Sequence, residues 1–368
     1  MKVLHISGAK GWGGNEQQII YCIPELEKQS CENVVFGISD SKLEAACLSK
    51  KICFIQAKGG KLNSFYNFIY FGSIMKAIKP DIIHLHTSDS LTFFVIMDLI
   101  YKFKVKCVFS KKAVSASSSF LSKYKYNYSG IDSIFCVSKS VQDDFSKILL
   151  KKNKKKTIVI HDCVSMSILN VSSSINLREE FENIKERKII GNIANHTDAK
   201  DLNTLINVVD YLVNNLNLKD IVFLQVGEFS KLTAEFKCVI KEKQLDNYII
   251  FTDKIVNAFT LNSQFDLFLM TSQREGGPTS VLEAMLIGTP IISTNVGVIP
   301  DVIENGINGY SSDVKDFQDI AIKINKLIND SDLKKMYINR SKDIILKRFT
   351  ASFIATETLQ QYMKILSL

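Results

Sequence analysis

Short apolar segments alternate with amphipathic helical patterns along the whole chain, and the alternation comes in two series. The first series contains strand-like segments near 2–6, 33–38, 52–56, 81–85, 106–109, 133–137 and 157–160. The second contains them near 188–193, 220–226, 248–251, 265–270, 290–293 and 309–310. Strands that alternate with helices form parallel, doubly wound sheets. The pattern therefore predicts an α/β fold with two Rossmann-like domains.

A polar, serine-rich stretch from Cys163 to Ile175 interrupts the alternation and indicates a linker. We predict an N-terminal domain over 1–165, a C-terminal domain over 166–349 and a terminal helix over 350–368. Open α/β sheets bind ligands at the carboxyl ends of their strands. Two such sheets facing each other would place the active site in a cleft between the domains.

Composition restricts the class of protein further. A chain of 368 residues with 46% apolar and 23% charged residues is large enough for two cores. No window approaches the roughly 20 apolar residues that cross a bilayer. The eight cysteines never form Cys-x-x-Cys, so neither a zinc site nor a disulfide framework is indicated. We expect a cytoplasmic protein, either soluble or peripheral on the inner face of the cell membrane.

Positive charge is concentrated in the first half of the chain. Residues 1–160 contain 24 Lys and 12 acidic residues, a formal +12, which leaves 8 − 12 = −4 for the remainder. Lys111-Lys112 and the segment 123–128 mix basic and aromatic residues in a predicted loop. Such a loop suits an anionic membrane surface. Nucleic acid is disfavoured as a partner because no nucleic-acid-binding module accompanies the charge.

The most informative motif places two carboxylates, Glu275 and Glu283, on either side of a glycine turn and a helix start. Gly276 and Gly277 form the turn, and Pro278 suits the first helical position. A helix start carries unpaired N–H groups and partial positive charge, which favour a phosphate. The helical period turns Glu283 away from the apolar face, where it could accept ribose hydroxyls or simply be solvated.

Two further segments are candidate site elements. The glycine-rich turn 8–16 leads from the first strand into a helix, but it lacks Gly-x-Gly-x-x-Gly in register because Glu16 stands where a third glycine should pack. His84 and His86 lie on one face of a strand end. A His-x-His pair can bind metal, but no third ligand is visible. The Asp-x-Asp at 330–332 is predicted to cap a helix.

Several motifs together resemble a known family. Glu275-x7-Glu283 encloses Gly-Gly-Pro and is followed by Gly-Thr-Pro at 288–290, Gly297 and Asn-Gly-x-Asn-Gly at 305–309. This resembles the donor-binding half of the family 4 retaining glycosyltransferases, which have the GT-B fold and include enzymes of bacterial polysaccharide and lipopolysaccharide synthesis. The resemblance implies that the terminal helix crosses back onto the first domain.

The resemblance also implies roles for individual residues. Glu275 and His86 would be catalytic, and Trp12 and Glu16 would border the acceptor. Donor-binding residues would be Gly13, Gly14, Asn195, Lys200, Gly276, Gly277, Thr279, Ser280 and Glu283. Many relatives pair the lysine with an arginine that is absent here, and Asn195, His196 or Arg274 are candidates to replace it. No metal or cofactor is expected.

The activity implied is a metal-independent hexosyltransferase reaction that retains configuration. It would move a hexose or N-acetylhexosamine from a nucleoside-diphosphate sugar, with UDP favoured, to a saccharide or lipid-linked acceptor. Two alternatives stay open. One is a sugar-nucleotide epimerase of GT-B-like shape, and the other is a nucleotide-sugar-binding protein without catalysis.

Overall fold

The computed structural model of the chain describes residues 1–113 and 119–367. Within it the chain divides into two compact units. Unit 1 comprises Met1–Cys163 together with Thr350–Leu368, and unit 2 comprises Val164–Phe349. The boundary predicted from the polar stretch, between 165 and 166, lies two residues beyond the first of these junctions.

Unit 1 contains a seven-stranded parallel sheet with the order β3-β2-β1-β4-β5-β6-β7. Its strands are β1 Lys2–Ser7, β2 Glu32–Ile38, β3 Cys53–Ala57, β4 Ile82–Leu85, β5 Lys106–Lys111, β6 Ser133–Cys136 and β7 Thr157–Val159. Its helices are α1 Gly14–Glu27, α2 Lys42–Ser49, α3 Phe65–Ile78, α4 Ser88–Tyr101, α5 Phe120–Tyr126, α6 Lys139–Ser146, α7 Lys151–Lys154 and α15 Ala351–Leu366.

Unit 2 contains a six-stranded parallel sheet with the order β10-β9-β8-β11-β12-β13. Its strands are β8 Lys188–Ile193, β9 Ile221–Val226, β10 Ile249–Thr252, β11 Leu267–Met270, β12 Ile291–Thr294 and β13 Tyr310–Ser312. Its helices are α8 Leu177–Glu180, α9 Leu202–Asp210, α10 Thr233–Glu242, α11 Thr279–Ile287, α12 Ile299–Val302, α13 Phe317–Ile328 and α14 Ser331–Arg348.

The sheets form where the sequence predicts them because their inner strands are continuous apolar runs buried on both faces. In β2, Val34 and Phe36 join the core under α3 and α4, whereas Val35 packs with α1 and α2 on the other face. Each strand predicted from the sequence is present, and the parallel α/β class is confirmed.

The C-terminal helix α15 packs on unit 1 rather than on the unit that precedes it. Ala355 and Tyr362 of α15 lie in one apolar cluster with Val3 of β1 and Phe135 of β6. Tyr362 also bonds from its hydroxyl to the His84 ring at 2.5 Å. The last helix of the chain therefore covers part of the first sheet.

Local differences from the sequence-based expectation are confined to connections. Residues 123–128 were expected in a loop, but helix α5 runs through Tyr126, and the Ser119 side chain caps it. The serine-rich segment before it lies partly at 114–118, outside the described residues. No helix among the described residues is both long and apolar enough to span a bilayer.

Candidate functional site

In unit 2 the strand order reverses between β8 and β11, which lie side by side although the strands β9 and β10 lie between them in sequence. A reversal of this kind opens a crevice at the carboxyl ends of the two strands. Lys200 follows β8 and Glu275 follows β11. The fold therefore brings both sequence-predicted residues to the same end of adjacent strands.

Lys200 and Glu275 form a partly buried ion pair at this crevice. Lys200 Nζ donates to Glu275 Oε1 at 2.5 Å, and the side chains are 28% and 12% exposed. Ser272 Oγ donates to the same carboxylate oxygen at 2.8 Å. Two hydrogen bonds therefore fix the Glu275 carboxylate while the lysine keeps access to solvent.

Main-chain hydrogen bonds tie the two loops together independently of the ion pair. The Gln273 N–H donates to the Ala199 carbonyl at 2.8 Å, and Thr271 Oγ1 donates to the Lys200 carbonyl at 3.2 Å. The positions of Lys200 and Glu275 are consequently set by the backbone as well as by their side chains.

The turn at Gly276 is packed against Gly297, which follows β12. Gly297 has φ +61°, and a Cβ there would lie 2.6 Å from the Gly276 carbonyl oxygen. Only glycine tolerates both that dihedral and that approach. Gly297 thus allows the segment that follows β12 to pack closely against the Glu275–Gly277 turn.

Helix α11 begins at Thr279 directly after the turn. Pro278 is its N-cap, one position earlier than the sequence suggests, and no side chain caps the helix. Thr279 and Ser280 are half-buried in the first turn. The backbone N–H groups of this turn are donors that intrahelical bonds cannot satisfy, and an anion is their natural partner.

Glu283 is buried, so the alternative that it is a solvated helix residue is wrong. The helical period predicts a side chain pointing away from the core, but Glu283 is only 7% exposed. Periodicity shows which face of a helix packs on its own sheet, and it carries no information about segments that cover the opposite face. Glu283 is a buried carboxylate of α11 rather than a solvated one.

The candidates for the missing arginine differ in their environments. Asn195 is exposed, and its Oδ1 accepts from the Glu228 N–H at 3.0 Å. His196 is buried with both ring nitrogens in hydrogen bonds, to Thr233 at 2.8 Å and to Gln225 at 2.6 Å. Burial lowers the pKa of His196. His196 is therefore a structural residue, whereas Asn195 and the exposed Arg274 have side chains that a ligand can reach.

The order of the unit 1 sheet reverses between β1 and β4, so the glycine-rich turn after β1 and His86 after β4 share a second strand-end crevice. A Cβ at Gly14 would meet nothing within 4 Å, and one at Gly13 would meet only a Glu16 carboxylate oxygen, at 3.4 Å. Neither has a positive φ. The backbone fold does not require glycine at these positions, which favours close approach of a ligand.

The two acceptor-side candidates are in contrasting surroundings. Trp12 is exposed. Glu16 is buried and accepts from Ser7 Oγ at 3.5 Å. Burial raises the pKa of the Glu16 carboxyl. A carboxyl with a raised pKa at a strand-end crevice is typical of functional sites.

His86 belongs to a buried chain of hydrogen bonds. Asn33 Nδ2 donates to the Cys31 carbonyl at 2.8 Å, so Asn33 Oδ1 is the atom that faces His5 Nε2, at 3.0 Å. His5 Nε2 must then carry the proton, and His5 Nδ1 accepts from His86 Nε2 at 2.9 Å. Asn33 thereby fixes the tautomers of both histidines.

His84 lies beside this chain, and its ring nitrogens bond to Ser110 Oγ at 2.8 Å and to the Tyr362 hydroxyl. The expectation that the pair His84 and His86 lacks a third partner is wrong, because His5 joins it with ligand atoms within 4.8 Å. The hydrogen bonds account for the cluster without a metal. Sequence analysis missed His5 because only the β1–β4 register, His5 opposite His84, reveals it.

The expectation that Lys111-Lys112 contacts a membrane is also wrong. Lys111 is buried, with Nζ 5.2 Å from the Phe145 ring centre and 5.4 Å from that of Tyr126, and burial lowers its pKa to about 8. Lys112 is paired with the buried Asp162. Lys111 belongs to the unit 1 interior because β5 continues through it, and Lys112 is half-buried beside Asp162.

A match to a family of known proteins falls within unit 2. Residues 173–344 match the family model for "Glycosyl transferases group 1". The matched span contains Lys200, Glu275 and Glu283. Unit 2 therefore carries a glycosyl transferases group 1 domain.

Two proteins of similar sequence have names that state an activity. N-acetyl-alpha-D-glucosaminyl L-malate synthase of Bacillus anthracis is 24% identical over 235 residues, 64% of this chain and 60% of that protein. Poly(ribitol-phosphate) alpha-N-acetylglucosaminyltransferase of Staphylococcus aureus (strain COL) is 24% identical over 197 residues, 53% of this chain and 39% of that protein. The matched region thus spans less than two thirds of either relative.

Among solved structures, Anabaena HepE in complex with UDP and glucose has a TM-score of 0.82 and 18% identity, covering 99% of this chain and 100% of that one. At this identity the likeness establishes the fold. Both parallel-sheet units therefore follow the GT-B architecture expected from the sequence.

Proposed function

We propose that this protein is a retaining glycosyltransferase. It transfers a hexose or N-acetylhexosamine from a UDP-sugar to a saccharide or lipid-linked acceptor during cell-surface polysaccharide synthesis. The observation that carries the proposal is the Lys200–Glu275 pair, which lies at the strand-order reversal beside the uncapped start of α11.

The donor side of the reaction follows from the charges in unit 2. A diphosphate would accept hydrogen bonds from the N–H groups at Thr279 and Ser280 and from Lys200 Nζ. Positive charge there stabilises the negative charge that the diphosphate gains as its bond to the anomeric carbon breaks. Lysine and helix dipole supply this charge, so the proposed reaction needs no divalent metal. Gly276 and Gly277 allow the backbone to approach the donor.

Two carboxylates have separate tasks in the proposal. Glu275, held by Ser272 and Lys200, lies nearest the sugar and stabilises positive charge at the anomeric carbon. Glu283 accepts hydrogen bonds from the ribose hydroxyls. The acceptor hydroxyl attacks from the face that UDP leaves, and the departing phosphate takes its proton, which preserves the configuration of the sugar.

The proposal also assigns roles to candidates in unit 1. Gly13 and Gly14 are assigned to the donor diphosphate, and His86 is assigned to the donor sugar. Trp12 and Glu16 border the acceptor, and the exposed Asn195 of unit 2 adds a hydrogen bond to the donor. The chemistry of the similar proteins supports this choice of substrates, because both curated relatives are named for alpha-N-acetylglucosaminyl groups and HepE binds UDP.

The test begins with thermal unfolding of the full chain in the presence of UDP, GDP and a panel of UDP-sugars. A ligand present at 100 times its dissociation constant stabilises the native state by about 2.7 kcal/mol. We expect the largest shift with a UDP-sugar. Absence of a shift with every nucleotide would contradict the donor site.

The second stage incubates the preferred donor with and without saccharide and lipid-linked acceptors and follows products by mass spectrometry and NMR. We expect an alpha-linked product and an unchanged rate in EDTA. Conversion of the donor alone into an epimer would instead indicate an epimerase, and binding without turnover would indicate a nucleotide-sugar-binding protein.

A further inference from the structure

The outer faces of α3 and α4 in unit 1 expose large apolar side chains to water. On α3, Phe65, Tyr66 and Ile69 are 72%, 69% and 60% exposed. At its C-terminal end, α4 exposes Leu99, Ile100 and Tyr101. A surface helix packed on a sheet ordinarily has polar residues on its outer face. Contiguous apolar surface of this kind marks an interaction site.

The two groups of side chains are joined by Tyr101. Its hydroxyl donates to the Phe68 carbonyl of α3 at 3.2 Å, and its ring lies over Gly72. A Cβ at Gly72 would lie 3.1 Å from the Tyr101 oxygen. Tyr101 thus connects the end of α4 to α3, and the exposed apolar residues of the two helices are here called the apolar band: Phe65, Tyr66, Ile69, Leu99, Ile100 and Tyr101.

Exposed lysines flank the apolar band in sequence. Residues 58–104 contain six lysines, all exposed, and three aspartates, a difference of 6 − 3 = +3. The surroundings of the apolar band are consequently positive.

We propose that the apolar band docks unit 1 on an anionic lipid bilayer. Tyrosine and phenylalanine side chains insert at the headgroup level, while the lysines contact anionic headgroups. A second copy of this chain is a poorer occupant, because it would bring two positive rims together. This docking does not depend on the transfer reaction proposed above, and it replaces Lys111-Lys112 as the membrane-contacting surface of the N-terminal half.

The test is co-sedimentation of the full chain with sucrose-loaded vesicles of phosphatidylcholine alone or with phosphatidylglycerol added. We expect binding to the anionic vesicles that weakens as salt is raised, because screening shortens the range of the lysine charges. Equal binding to both vesicle types, or no binding to either, would overturn the proposal.

The variant Phe65→Ser/Ile69→Ser isolates the apolar contribution. We expect its partition into anionic vesicles to fall about tenfold or more. The matched control is Leu48→Ser, because Leu48 is 65% exposed but lies on α2, which packs on the opposite face of the same sheet. The control should bind as the wild type does, and both variants should keep the wild-type thermal midpoint.

Two results would contradict the role of the apolar band. One is undiminished vesicle binding by the Phe65→Ser/Ile69→Ser protein. The other is a wild-type protein that does not bind vesicles but forms a dimer in light scattering, when the Phe65→Ser/Ile69→Ser variant does not form that dimer. This result would make the apolar band a protein interface.

Discussion

The two units place their candidate residues at the same position of similar sheets but provide different chemistry there. Unit 2 presents a solvent-accessible ion pair, Lys200 and Glu275, beside a helix start. Unit 1 presents the glycine-rich turn 8–16 and a group of buried, neutral histidines. Burial lowers the pKa of His5 to about 4 and that of His86 well below its usual range. Unit 2 therefore offers a charged pair that a ligand can reach, whereas the candidate histidines of unit 1 are neutral and buried.

Glu275→Gln provides the strongest test of this division. The substitution keeps the shape of the side chain but removes the negative charge that the proposed reaction requires near the anomeric carbon. We expect the transfer rate to fall by about 10²- to 10³-fold, the usual loss for one preorganised electrostatic group, with UDP binding retained. Product formation by mass spectrometry measures the rate, and an unchanged rate in a folded variant would remove Glu275 from the mechanism.

Lys200→Ala should act on the donor rather than on the chemical step alone. Loss of a charge-assisted hydrogen bond costs about 1.5–3 kcal/mol, or roughly 10- to 100-fold in UDP affinity. Lys243→Ala is the matched control, because Lys243 forms a similar pair with Asp210 at 2.6 Å between α9 and α10. Titration calorimetry with UDP compares them. Equal losses in both variants would point to general electrostatics rather than to a site at Lys200.

Substitutions of Gly297 and Gly14 test whether each glycine is needed for folding or for donor binding. Gly297→Ala should destabilise unit 2 by about 1–3 kcal/mol, because its φ is +61° and the Gly276 carbonyl is too close. Gly14→Ala should leave the thermal midpoint unchanged, because a methyl group there would contact no other described part of the protein. It should weaken donor binding, because the methyl group would occupy space that the donor approaches. Thermal unfolding with and without UDP measures both effects. A large loss of stability in Gly14→Ala would show that this glycine serves the fold instead.

Lowering the pH should destabilise unit 1 before unit 2, because of the buried histidines of unit 1. Because the pKa of His5 falls from 6.5 to about 4 on folding, the unfolded chain binds a proton first as the pH drops. The free energy of unfolding therefore decreases between pH 6.5 and about 4, by up to ~1.4 kcal/mol per pH unit for His5 alone. His84 and His86 shift in the same direction. Hydrogen exchange should show β1 and β4 losing protection before β11, and the opposite order would contradict the assignment.

The sequence was sufficient to predict most of the fold and to place Lys200 and Glu275 after strands of the same sheet. Apolar runs such as β9 are unambiguous because parallel strands are buried on both faces, and Glu275 and Lys200 follow strands directly. Asp330 caps α14 as predicted, accepting from the Leu333 N–H at 2.9 Å. Local patterns determine features of this kind.

Features that depend on contacts between distant segments were not predictable. His5 joins His86 only through the pairing of β1 with β4, and the burial of Glu283 depends on what covers the outer face of α11. Lys111 was misassigned for the same reason, since the aromatic rings that shield it belong to α5 and α6. Neither the periodicity of apolar residues nor the spacing of motifs in the sequence shows which distant segments come into contact.

The packing of α15 on unit 1 has a consequence for synthesis of the chain. Its residues complete one face of the first sheet, and Tyr362 bonds to the His84 ring. The ribosome makes unit 1 first but releases its last structural element only after all of unit 2 has been made. A chain halted at residue 163 would leave Val3, Ile82, Val108 and Phe135 partly uncovered, so unit 1 reaches its final form only after unit 2 and α15 have been synthesised.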